Sequence, residues 1–186
     1  MNYDDSDMKI VPDRPSEIFD TSEGAANAFV REKSNGNMDK ARVLGTQLAI
    51  ELTAESKGGA TLFGVGAFDN EHTVKQRKVM FAYVVKKVIE DMAPNSIVAQ
   101  SALSAFYETI QQTSPEIYEL ATDTAAFSLY NLSARTSPED PCAIGNVFAL
   151  LCDREDDPVF VRYGCELASY FTMYCTQVAL RVQMIR

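Results

Sequence analysis

Residues 69–94 read DNEHTVKQRKVMFAYVVKKVIEDMAP, and this stretch decides the fold class. Asp69 or Asn70 offers a side-chain oxygen to the first free amides of a helix. Val74, Phe81, Val85, Val88 and Met92 then recur at steps of seven, four, three and four, which places them on one helical face. Pro94 ends the run, because the residue before a proline is pushed out of the helical region.

The same punctuation recurs on both sides. Thr21 or Ser22 caps a short helix carrying Ala26, Phe29 and Val30, which ends near Gly36. Asn37 caps the next, with Ala41, Leu44, Leu48 and Leu52 facing inward. Asn95 or Ser96 opens a fourth helix through Ala99, Leu103, Phe106 and Ile110. Ser114-Pro115-Glu116 opens a fifth, with Tyr118, Ala121, Ala125, Leu129 and Leu132 as its stripe; proline costs nothing at a first helical position. Ser137-Pro138-Glu139 repeats the signal for a sixth bearing Ile144, Val147, Phe148 and Leu151, and Asp157-Pro158 starts the last, toward Arg186.

Alternation of strand type is confined to the short run Thr61–Val65. The expectation is an all-α fold, a single-domain bundle or orthogonal array of about seven helices over residues 20–186. An acidic, partly disordered arm is expected over residues 1–19. The last helix has fourteen uncharged residues between Glu166 and Arg181, apolar around most of its circumference. It should therefore lie at the centre of the bundle or be shared across a dimer.

The chain has 186 residues, 46% hydrophobic and 23% charged, which suits one globular domain. The net charge of −9 is distributed as −5 over residues 1–24, +3 over 25–90 and −7 over 91–186. That balance argues against a nucleic-acid partner, which calls for a basic footprint. The first residues show no basic and apolar leader, and no apolar run reaches membrane-spanning length, so a cytoplasmic protein without a transmembrane span is expected. Cys142, Cys152, Cys165 and Cys175 match no zinc spacing and are expected to be four buried free thiols.

One histidine, His72, removes most metal and general-base constellations, and it is expected at the surface. The glycine-rich stretch Gly58–Gly66 is followed by Ala67 and Phe68 instead of Lys and Ser/Thr, so it lacks the chemistry of a phosphate loop. His72, Lys75, Lys78 and Lys86 are candidates for an anionic ligand or acidic partner, while Arg77 and Lys87 point elsewhere on the same helix. Glu166, Tyr170 and Tyr174 are candidates for an interface or a pocket. No catalytic residue, metal ligand or cofactor is nominated. The expected function is a non-enzymatic helical protein–protein interaction or regulatory module that meets a protein partner or itself. The alternative is a helical bundle with an apolar small-molecule pocket, serving as a binder or as an enzyme.

Overall fold

A computed structural model of the chain describes residues 22–54, 68 and 70–185. The arm read over residues 1–19 and the Gly58–Gly66 loop lie outside the described residues. The fold is all-α, with eight helices among the described residues: α1 Ser22–Ser34, α2 Asn37–Thr53, α3 Glu71–Met92, α4 Ser96–Thr113, α5 Pro115–Ala121, α6 Thr124–Thr136, α7 Ala143–Leu151 and α8 Pro158–Val182.

The centre of the bundle is α3. Asn70 caps it, accepting from the Thr73 amide at 2.8 Å, and it ends at Met92 before Pro94. Seven consecutive residues, Val79 to Val85, are buried, so the helix is enclosed on all sides. It touches α2, α4, α5, α6, α7 and α8. The apolar last helix is not the enclosed one. α8 packs on α7, α3 and α2 through Phe160, Ala168, Phe171, Cys175 and Val178. Its other face, with Tyr170, Met173 and Leu180, is exposed.

α2 and α4 form the most extensive helix pair. Gly45 makes it possible: a β-carbon there would collide with the Ala102 carbonyl and lie 2.9 Å from the Phe106 nitrogen. The α7–α8 crossing is built the same way. A β-carbon on Gly164 would sit 2.7 Å from the Gly145 oxygen and 3.0 Å from the Phe148 ring. Around that crossing Phe148 stacks on Phe160 with centroids 5.4 Å apart.

Local chemistry shifts several expected elements. The expected fifth helix breaks at Thr122, because Asp123 caps a new start by accepting from the Ala125 and Ala126 amides at 2.9 and 3.1 Å. The inward face rotates with the break, leaving Leu129 and Leu132 exposed while Ala126 and Tyr130 are buried. Ser137-Pro138-Glu139 forms a turn rather than a helix start, since the Asp140 carboxylate accepts from the Cys142 amide at 2.8 Å and delays α7 to Ala143. In α1 the buried face is Ala28 and Glu32; Phe29 and Val30 are exposed.

Asn37 is not the cap of α2. Gly36, in the left-handed region at φ 79°, takes that position, and the Asn37 side chain turns inward to hold the distant end of the described chain. Its Nδ2 donates to the Ile185 carbonyl at 2.7 Å, and its Oδ1 accepts from the Ile185 amide at 2.8 Å. Nδ2 also donates to Glu32 Oε2 at 2.7 Å. Asn35 and Arg31 donate to the same carboxylate. Burial pushes the Glu32 carboxyl up, but these three hydrogen bonds and the Arg31 charge outweigh it and hold it below the ordinary carboxylate range. Lys40 adds a bond to the Gln183 carbonyl at 2.9 Å.

Candidate functional site

The basic candidates do not converge. His72 is exposed, and its Nε2 lies 2.8 Å from the Leu151 carbonyl, so the ring N–H donates to the last turn of α7. Lys75 is bound to Glu71 at 2.7 Å and Lys86 to Glu90 at 2.6 Å, each one helical turn away. The Glu71 hydrogen bond and charge raise the Lys75 pKa, and Lys75 lowers that of Glu71 in return. Lys78 is half-buried. Lys75 and Lys86 are about three turns apart, roughly 16 Å along α3, too far for one small anion to bridge. Lys86 instead edges a separate cleft with Tyr107, Phe127 and Asn131. Arg77, which the spacing turns away from the other basic candidates, is 2% exposed and lies near the Cys152 thiol.

The second candidate group divides. Glu166 and Tyr170 both line a shallow cleft between the start of α7 and the outer face of α8, with Pro141, Ile144 and Met173; its volume is about 780 Å³. Tyr174 lies on another face, half-buried, where desolvation and a hydrogen bond to Glu51 raise its pKa. Glu166 accepts from Arg162 Nε at 2.9 Å. A small-molecule pocket calls for unpaired polar groups converging from these three residues, and two of them are spent on neighbouring side chains.

The floor of the cleft corrects the reading of the cysteines. Cys142 and Cys165 form a disulfide with α-carbons 4.8 Å apart, within the usual span of such bonds. The close approach at Gly145 and Gly164 brings the two positions together, a proximity that depends on helix packing rather than on sequence spacing. Cys152 and Cys175 are buried free thiols, as expected. Burial pushes Cys152 up to about 11, against the Thr73 hydrogen bond and the charge of Arg77, and Cys175 up to about 12.

Both disulfide sulfurs also belong to residues lining a second shallow cleft, with Glu155, Asp156, Val161, Arg162 and Glu166. Among the described residues no three His, Cys, Asp or Glu side chains are grouped to hold a metal ion. No helix among them is long and apolar enough to cross a membrane. Comparison with family models, curated proteins and solved structures found no match.

Proposed function

We propose that this protein is a helical protein–protein interaction module that associates with a second copy of itself through the outer face of α8. The observation that carries this reading is the register of exposed side chains on that helix. Tyr170, Met173, Gln177 and Leu180 follow at steps of three, four and three, the spacing of a helix-pairing seam. Tyr170 is 44% exposed, Met173 52% and Leu180 62%, so the seam leaves substantial apolar surface in water.

An antiparallel pairing centred near Met173 places Glu166 of one copy towards Arg181 of the other, so the surface is complementary to itself under a two-fold axis. Pro141 and Ile144 continue the apolar surface at one edge. The net charge of −9 opposes association at low ionic strength. Added salt should therefore strengthen the dimer.

Light scattering and sedimentation at micromolar protein test this, giving a dimer whose population rises with salt. Met173→Glu, at an exposed position, should weaken it by at least about thirtyfold, the effect of a central hot spot. A monomer insensitive to salt, or a dimer unaffected by Met173→Glu, refutes the assignment of this face.

A further inference from the structure

We propose that Cys142–Cys165 is a reversible dithiol–disulfide site that exchanges with neutral or cationic thiols while the protein stays folded. Three observations carry this independently of any self-association. First, the four cysteines fall into two chemical classes. Cys152 and Cys175 are buried and free, whereas Cys142 and Cys165 are partly exposed and line the open cleft with Glu155 and Asp156, which includes no residue of the Tyr170–Leu180 seam, giving an attacking thiolate a route to the bond.

Second, the helices that the bond joins do not rely on it for contact. The backbone approach of Gly145 to Gly164 and the stacking of Phe148 on Phe160 hold α7 against α8 around the crosslink. Reduction therefore leaves the two thiols adjacent, at high effective concentration for reoxidation. Third, the cleft beside Cys165 presents Glu155, Asp156 and Glu166 against Arg162 alone. Asp140 adds a further carboxylate at the Cys142 amide. This negative rim repels anionic thiols and admits neutral or cationic ones.

The exchange balances with a dithiol, or two monothiols, as reductant. The incoming thiolate attacks Cys165 Sγ, forming a mixed disulfide as the Cys142–Cys165 bond breaks. The electron pair leaves on Cys142 Sγ, which precedes the first turn of α7, where free amides favour an anion; it then takes a proton from water. A second thiolate attacks the added sulfur of the mixed disulfide and releases Cys165, which is protonated in turn. Two reductant thiols become one disulfide, and the protein disulfide becomes two thiols.

The test follows reduction of the folded, air-oxidised protein by dithiothreitol, with maleimide labelling, peptide mass mapping and far-ultraviolet circular dichroism. Labels should appear on Cys142 and Cys165 alone, with helicity unchanged, and in an unlabelled portion the bond should reform when the reductant is exchanged for cystamine, whose disulfide accepts the two electrons. Glutathione and cysteamine then probe the rim. Raising the salt concentration should speed reduction by glutathione about threefold and leave reduction by cysteamine, whose attacking thiolate has no net charge beside its ammonium group, nearly unchanged. The proposal is overturned if labelling of the pair needs denaturant, if Cys152 or Cys175 reacts as fast, or if helicity falls on reduction. It is equally overturned if salt speeds the two reactions equally or leaves both unchanged.

Discussion

Replacing Asn37 with alanine isolates the contact that ties the turn between α1 and α2 to Ile185. The substitution removes two hydrogen bonds to the Ile185 main chain and one to the Glu32 carboxylate. Neutral bonds contribute about 1 kcal/mol each, and one to a charged group about 1.5–3 kcal/mol. Ile185 is 52% exposed, so its main chain regains water and part of the neutral contribution is recovered. Glu32 is only 3% exposed, so its loss is not recovered, although Asn35 and Arg31 still donate to it. The net expectation is a loss of about 3 kcal/mol. With a urea slope of about 1–3 kcal/mol per molar, the unfolding midpoint should fall by roughly 1–3 M at neutral pH. Hydrogen exchange gives a second readout, because the Ile185 amide should lose its protection while amides inside α3 exchange more slowly than it does. An alanine variant with an unchanged midpoint, or one in which the Ile185 amide stays protected, refutes the reasoning.

Glu32 also sets an acid limit. Its folded-state pKa is lowered, so the stability it contributes is present above the unfolded carboxylate value of about 4.3 and is lost as pH falls through the folded value. Urea midpoints measured from neutral pH downward should drop through that window, and Asn37→Ala should flatten the slope because one of the lowering hydrogen bonds is gone. Tyr130→Phe should work in the opposite sense. The buried Tyr130 hydroxyl has no hydrogen-bond partner among the described residues, so removing it should leave thermal stability unchanged or raise it by about 1 kcal/mol. A loss above 1 kcal/mol in calorimetry would show that the hydroxyl is satisfied.

Helix starts were legible wherever the capping chemistry is local. Asn70, Asn95 and Asp157 cap as their side chains suggest, and the stripe Ala41, Leu44, Leu48 and Leu52 is buried as its spacing requires. Legibility fails where two local signals compete. Asp123 lies inside an apparently continuous stripe and captures two amides that would otherwise belong to one long helix. Asp140 prevails over Ser137 in the same way. It fails again where a contact spans the chain: Asn37 resembles an ordinary cap until Ile185, 148 residues away, is placed beside it. Of the candidate site, Glu166, Tyr170 and Tyr174 were grouped by their place on the last helix, and only Glu166 and Tyr170 line one cleft. Their cleft was not, because it exists only where Cys142 meets Cys165 across the α7–α8 crossing. Of the two positions expected for α8, the centre of the bundle belongs instead to α3, whose charged residues cluster toward its two ends and leave an uncharged middle.

The contact of α2 with α4 has a consequence for how this sequence can vary. Ala41, Gly45 and Ala49 recur every fourth residue along the α2 face, and Ala102 and Ala105 lie on α4. Main chains approach so closely there that dispersion between backbones replaces much of the contact that large side chains make elsewhere. A position of this kind is judged by volume and hardly at all by hydrophobicity. Leucine at Gly45 would be as apolar as any neighbour and would still force the helices apart, whereas Leu48 beside it could exchange for methionine at little cost. This line of small residues is thus constrained by size rather than by hydrophobicity, and a saturation screen would find it by size tolerance alone.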